Sequence, residues 1–170
     1  HDPRTVVLIL GVPCALLGLL RYVFDAQPAV FQRVGVPLMG IFPLISMFLV
    51  TSIAVLRERT SGTLERLMTM PLRKADLLFG YGLAFGGVAV FQACVTAAVG
   101  IGLLGLDVPG SLALVVLLTV LNAVLGSAFG LFASAFATTE FQVIQFMPAF
   151  VLPQLLLCGL FAERSTMASL

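Results

Sequence analysis

Charged residues are scarce in this sequence. Asp, Glu, Lys and Arg make up 10% of its 170 residues, whereas 60% of the residues are hydrophobic. A water-soluble domain carries roughly 25% charged residues, which it needs to cover its surface. The composition therefore excludes an ordinary soluble domain and indicates a chain that lies in a lipid bilayer. The net charge of +1, with no basic stripe outside residues 57–74, argues against nucleic acid as a partner.

Residues that catalyse reactions inside a membrane are nearly absent. The only histidine is His1, so intramembrane proteolysis would lack a histidine base or metal ligand. Asp76 and Asp107 mark the two ends of one apolar run, so neither lies deep within it. The only lysine, Lys74, is not part of a Gly-x-x-x-x-Gly-Lys-Ser/Thr loop, so this chain lacks that phosphate-binding loop. We therefore expect no enzyme activity and no bound cofactor on this chain.

Cysteine is rare as well. Cys14, Cys94 and Cys158 are far apart, and each lies within an apolar run. An odd number of widely spaced cysteines supports neither a disulfide framework nor a zinc site. We interpret the three as packing residues and expect no bound metal.

Long uncharged runs make up most of the remaining sequence. Four lie over 34–56, 77–106, 108–139 and 141–162, and a shorter one lies over 5–20. About 20 helical residues cross a hydrocarbon core roughly 30 Å thick, so each of the four can span a membrane. The shorter run can continue past Arg21, whose long side chain reaches the headgroups. The sequence therefore predicts an all-α fold, a polytopic membrane helical bundle with spans over 5–24, 36–56, 77–104, 111–137 and 141–160.

Polar segments connect the predicted spans. We expect residues 25–35 to form a loop around Pro28, and the Asp-Val-Pro-Gly run at 107–110 to form a tight turn. Lys and Arg accumulate in cytoplasmic connections, which places residues 57–76 and the N-terminus in the cytoplasm. The start is not a methionine and five spans leave the C-terminus outside. We expect residues 1–170 to be one transmembrane domain, truncated at both ends, with a sixth span beyond Leu170.

The connection at 57–76 is the only extended polar segment. Ser61 or Gly62 can cap a helix there, apolar residues recur at helical spacing over 64–68, and Pro71 ends the helix. The pattern predicts a short amphipathic helix that lies flat under the membrane and offers its charged residues to a partner. An ordinary solvated loop, whose charges only fix the orientation, fits the pattern equally well.

Small and polar residues inside the spans indicate helix packing. Gly82 with Gly86 and Gly126 with Gly130 have the four-residue spacing that lets helix backbones approach closely. We favour packing within the chain over a dimer-forming face. Unpaired amides in hydrocarbon are costly, so the amides of the spans should face other helices or, as the less favoured alternative, a substrate path. These amides are Gln92, Asn122, Gln142, Gln145 and Gln154.

A set of short motifs along the chain resembles one family. The motifs are His-Asp-Pro-Arg-Thr at 1–5, Arg-Glu-Arg-Thr-Ser-Gly-Thr-Leu-Glu-Arg-Leu at 57–67, Met-Pro-Leu at 70–72, Thr-Glu-Phe-Gln at 139–142, Gln-Phe-Met-Pro at 145–148, Leu-Pro-Gln at 152–154 and Cys-Gly-Leu-Phe at 158–161. Together they resemble the permease subunits of type 2 ATP-binding-cassette (ABC) exporters, in particular the daunorubicin-type drug-resistance permeases.

The resemblance implies six spans per subunit, a pair of permease subunits, expected to be a homodimer, and two cytosolic ABC ATPase subunits that hold ATP and Mg. It also implies a bacterial inner membrane and short re-entrant helices that begin within 161–170. The connection at 57–76 would then form the coupling helix that sits on the ATPase. Carried onto this sequence, the contact residues would be Glu58, Thr60, Gly62, Thr63, Glu65, Arg66 and Met70.

Two other functions stay open on the sequence alone. An ion-coupled secondary carrier usually has ionisable groups near the bilayer midplane, and the long runs contain none. A non-transporting membrane scaffold or assembly subunit would explain the glycine pairs and the basic connection without a substrate. The 14 phenylalanines, with no tryptophan, suit an amphipathic or lipid-like cargo, but they suit a lipid-facing surface equally well.

Overall fold

The computed structural model describes residues 3–69, 73–108 and 110–157, and all regular secondary structure in these ranges is helical. Four helices are long and apolar enough to cross a membrane, and α1 contributes a shorter apolar helix over Ile9–Val23. This confirms the predicted polytopic helical bundle. The helices are α1 Pro3–Val23, α2 Pro28–Thr60, α3 Thr63–Met68, α4 Lys74–Ala98 with a π-helical extension Val99–Leu103, α5 Leu112–Phe136 and α6 Glu140–Leu157.

Helix α2 begins earlier than the sequence predicted. The expected loop over 25–35 is wrong from Pro28 onward, because Pro28 is the first residue of the helix. Proline suits this position, since its ring fixes a helical φ and its missing N–H would have had no partner in the first turn. α2 also runs past the predicted end at Leu56 to Thr60. The result is a helix of 33 residues, the longest in the bundle.

Helix α2 is the centre of the bundle and contacts α1, α3, α4, α5 and α6. Its closest partner is α5, because Gly126 and Gly130 let the two backbones meet. A Cβ atom at Gly130 would lie 2.7 Å from the Phe48 carbonyl oxygen, and one at Gly126 would overlap the backbone of Leu44. In lipid, where apolar burial alone holds helices together weakly, such close van der Waals contact is a main source of association.

The outward faces of the helices are strongly apolar. Phe79, Leu83, Phe136 and Phe141 are each more than 60% exposed. Exposed apolar area of this extent would be a liability in water and is ordinary against lipid. The surface therefore agrees with the membrane assignment made from composition.

The connection from α4 to α5 is held by a side chain of α2. The π-helical extension ends with the Leu104 N–H donating to the Val99 carbonyl at 3.0 Å, and Gly105 then adopts φ 64°. The Gln32 amide donates to the Gly105 carbonyl at 2.9 Å and accepts from the Asp107 N–H at 2.7 Å. This pair of hydrogen bonds joins the first half of the connection to the beginning of α2.

Candidate functional site

The candidate site lies at the end of the bundle that carries α3, here called the α3 end. α2 stops at Thr60, where the Ser61 N–H donates to the Arg57 carbonyl at 2.9 Å and Gly62 takes φ 74°, a conformation that glycine adopts without strain. α3 follows over Thr63–Met68. The predicted short helix is therefore present, and the loop alternative is wrong for these residues. Pro71, its predicted end, lies outside the described residues.

Several residues expected to contact a partner are on an open surface at α3. Thr63, Glu65 and Arg66 are exposed, and Glu65 lies in the first turn of the helix. Together with Ser61, Gly62 and Thr69 they line a shallow concavity of about 490 Å³. Thr60, at the end of α2, is also exposed, and Met70 lies outside the described residues. The surface thus presents hydroxyls and both signs of charge without a covering element in the part of the chain that the structure describes.

Three consecutive residues at the end of α2 reach three other helices. Arg57 donates from Nε to Oε1 of Glu140, the first residue of α6, at 2.7 Å. The carboxylate of Glu58 accepts a hydrogen bond from the Tyr81 hydroxyl of α4. We call Arg57, Glu58 and Arg59 the α2 clamp, because each of them fixes the end of α2 to a different neighbour.

The third residue of the clamp, Arg59, caps the end of α5. Its guanidinium donates to the carbonyl oxygens of Ser134 at 2.9 Å, Ala135 at 3.0 Å and Ala137 at 3.1 Å. The last carbonyls of a helix have no partner within it and carry the negative end of its dipole, so a cation there satisfies both. The guanidinium thus takes the role that a C-terminal glycine or water molecules often have.

Sequence reasoning singled out one member of this clamp and missed the others. Glu58 was expected to face the ATPase, whereas in the structure its carboxylate binds Tyr81 of the same chain. Arg57 and Arg59 enter the sequence analysis only through the charge of residues 57–76 and through the motif at 57–67, without a partner. Their location in the last turn of a helix is a signal that they could bond exposed carbonyls, but the helix they would reach was not readable from the sequence.

The amides expected in the spans fall into separate environments. Gln92 is fully buried and donates to the Ser46 hydroxyl, and its Oε1 has no hydrogen-bond partner among the described residues. Asn122 and Gln154 line one cavity of about 190 Å³ between α2, α5 and α6. Gln142 accepts from the Thr138 N–H at 2.8 Å, which makes it part of the α6 start. Gln145 is exposed.

The two glycine pairs differ in their surroundings. Gly126 and Gly130 are buried against α2, as described above. Gly82 and Gly86 have no atom within 4 Å of a Cβ position in the described structure. The packing within the chain that we favoured for both pairs is therefore seen for Gly126 with Gly130 and is not seen, among the described residues, for Gly82 with Gly86.

Comparison with known proteins adds the family. The chain matches the family described as "ABC-2 type transporter" over residues 1–170. It is similar to "Probable multidrug ABC transporter permease YbhR" of Escherichia coli (strain K12), with 34% identity over 122 residues, which cover 72% of this chain and 33% of that protein. It is also similar to "ABC transporter G family member 20" of Dictyostelium discoideum, with 32% identity over 112 residues, 65% of this chain and 15% of that protein.

The chain spans about a third of the length of the Escherichia coli relative. No solved structure matches it. The match over all 170 residues agrees with the apolar helices that the structure contains. The chain is an integral membrane protein that belongs to the ABC-2 type transporter family.

Proposed function

We propose that this chain is part of the permease subunit of an ATP-driven exporter and moves its substrate by alternating access. The family match over residues 1–170 is the observation that carries this proposal. ATP and Mg bind to a separate cytosolic ATPase, so the permease contributes conformational change and no covalent chemistry. A second permease subunit, most simply another copy of this chain, completes the pathway.

The α3 end receives the force from the ATPase. An ATPase groove can bind the exposed Glu65, Arg66 and Thr63, because charged and hydroxyl groups on a short helix give both attraction and a fixed register. The α2 clamp then passes the movement on, since the end of α2 cannot shift without pulling on α4, α5 and α6 through its three side chains. Two arrangements of the bundle, biased by the nucleotide state of the partner, give alternating access.

The orientation follows from charge. Arg57, Arg59, Arg66 and Arg73 lie at or near the α3 end, whereas Arg21 lies at the opposite end of α1. The excess of positive residues in cytoplasmic connections supports a cytoplasmic α3 end and a cytoplasmic N-terminus. The proposal of a bacterial inner membrane rests on the similarity to the Escherichia coli permease and not on the charges.

The cavity that Asn122 and Gln154 share is the best candidate for substrate contact. It lies between α2, α5 and α6 and combines two amides and Thr119 with apolar walls. An amphipathic compound would find hydrogen-bond partners and apolar surface side by side there. Gln92 is fully buried, and Gln142 is engaged at the α6 start, so neither supports a substrate path as well.

The test uses the full-length permease, purified together with its ATPase in mild detergent and reconstituted in vesicles. Exchanging the charges in Glu65→Arg with Arg66→Glu should leave membrane insertion intact but abolish substrate-stimulated ATP hydrolysis and transport. Asp25→Lys, an exposed change at the opposite end of the bundle, is the control and should retain both.

Three results would contradict the proposal. Full coupling in the charge-exchanged variant would remove the α3 contact from the mechanism. An ATPase that binds but is never stimulated by any transported compound would favour the scaffold function. Transport that continues without the ATPase and follows an ion gradient would favour the secondary carrier.

A further inference from the structure

A cavity of about 290 Å³ lies beside Arg59 between α2, α4 and α5. It opens to the outside of the bundle, because Leu78 in its wall is 61% exposed. Most of its lining is apolar, and among the described residues that line it the guanidinium is the one charged group. Its walls include Arg59, Tyr81, Leu77, Leu78, Leu131 and Ala135.

The charge of Arg59 is not neutralised within the described part of the chain. Its three hydrogen bonds go to carbonyl oxygens, and no carboxylate of the described residues forms a salt bridge with it. A guanidinium has five N–H groups, so two of them remain without an acceptor here. Arg57, two residues earlier, is paired with Glu140. A half-buried cation in apolar surroundings is stabilised strongly by an anion that completes its hydrogen bonds.

The location of the cavity indicates which kind of anion would bind beside Arg59. Arg59 lies in the last turn of α2, where the helix leaves the apolar zone, and Leu77 and Leu78 lie in the first turns of α4. Leu131 and Ala135 line the cavity on α5, one turn apart. A phosphate ion would contact only the guanidinium, and the leucine walls would stay exposed to water. A lipid with a charged head and an acyl chain would use both.

We propose that this cavity binds one anionic phospholipid from the leaflet at the α3 end. The headgroup phosphate accepts hydrogen bonds from the two remaining N–H groups of Arg59. The first part of an acyl chain packs along Leu77, Leu78 and Leu131. Because the guanidinium also caps α5, the lipid completes the polar contacts at the point where α2 and α5 are joined. This cavity is separate from the one that Asn122 and Gln154 share and from the exposed surface at α3.

Native mass spectrometry of the purified full-length protein tests the site. Phosphatidylglycerol should be retained about fivefold more strongly than phosphatidylcholine, whose choline cation cancels the charge of its phosphate; this is the ratio expected for one arginine that meets a net negative headgroup in place of a neutral one. Arg59→Gln should remove this preference. Arg57→Gln, which removes a cation of the same end outside the cavity, should keep it.

A second variant covers the case in which loss of the α5 cap unfolds the protein. Ala135→Phe places a ring in the cavity from an exposed position and leaves Arg59 in place, so it should weaken retention of phosphatidylglycerol. Retention that falls equally in Arg57→Gln and Arg59→Gln, or that Ala135→Phe leaves unchanged, overturns the proposal. Displacement of the lipid by excess inorganic phosphate overturns it as well, since a simple anion site would then explain the binding.

Discussion

Alanine at Gly126 or Gly130 should separate α2 from α5 and destabilise the bundle. The added Cβ at Gly130 would lie 2.7 Å from the Phe48 carbonyl oxygen and 3.1 Å from the Ser52 nitrogen. These are backbone atoms of a helix, so they cannot turn aside as the end of a flexible side chain could. The helices must move apart, and overpacking of this kind costs about 1–3 kcal/mol.

Part of this cost is offset, because alanine is better than glycine inside a helix by roughly 0.5–1 kcal/mol. The net effect for Gly130→Ala is then a loss of about 0–2.5 kcal/mol in the free energy of unfolding. Gly126→Ala should lose more, because its Cβ would overlap the backbone of Leu44.

The other glycine pair provides a matched control on the same protein. Gly82 and Gly86 have open space at their Cβ positions, so their alanine variants should be neutral or gain up to about 1 kcal/mol from helix propensity alone. Unfolding of the full-length protein in detergent by added sodium dodecyl sulfate, followed by the loss of helical circular dichroism, gives the free energy of unfolding of each of the four alanine variants. Equal stability of Gly130→Ala and Gly86→Ala would refute the reasoning from backbone contact. A clear loss in Gly82→Ala would indicate that a second subunit packs on α4.

Three further substitutions test hydrogen bonds between α2 and its neighbours. Tyr81→Phe removes the hydrogen bond to Glu58 and should lower the free energy of unfolding by about 1 kcal/mol; an unchanged thermal midpoint would contradict this. Gln32→Leu releases the loop at Gly105, so hydrogen exchange at 104–108 should accelerate while that of α5 stays slow. Gln92→Leu should alter stability by less than about 1 kcal/mol, since it removes one hydrogen bond and one unpaired buried oxygen together; a large loss in detergent unfolding would show that Oε1 has a partner.

Much of the fold was predictable from the sequence because charged residues are costly in the hydrocarbon core, so long uncharged runs mark the spans. The ends of α4, α5 and α6 lie close to the charged residues that bound the uncharged runs. The start of α2 was not readable in this way. The polar residues Gln32 and Arg33 led us to predict a loop over 25–35. A long helix can extend beyond the membrane, however, and α2 does so from Pro28 onward.

The candidate site was predicted in its location and not in its contacts. The short helix was predictable because residues 57–76 are the only extended polar segment of the sequence. The partners of Arg57 and Arg59 lie 83 and about 75 residues further along the chain, so no local pattern could name them. The same limit applies to the glycine pairs, whose identical spacing says nothing about which helix faces them.

The contacts divide the bundle into a joined pair of helices and others attached to it. α2 meets α5 through glycine backbones at its centre and through Arg59 at one end, whereas the Gln32 bonds at its other end hold the connection between α4 and α5. The α3 end of α6 is attached to α2 by side chains only: by the exposed Arg57 pair, which solvent and salt weaken, and by Val143, which lies in a buried cluster with Phe48 and Leu56 of α2. Under the proposed coupling through α3, α2 and α5 would move as one unit and would pull on α6 through its side-chain contacts. The cavity shared by Asn122 and Gln154 lies on the boundary between that unit and α6.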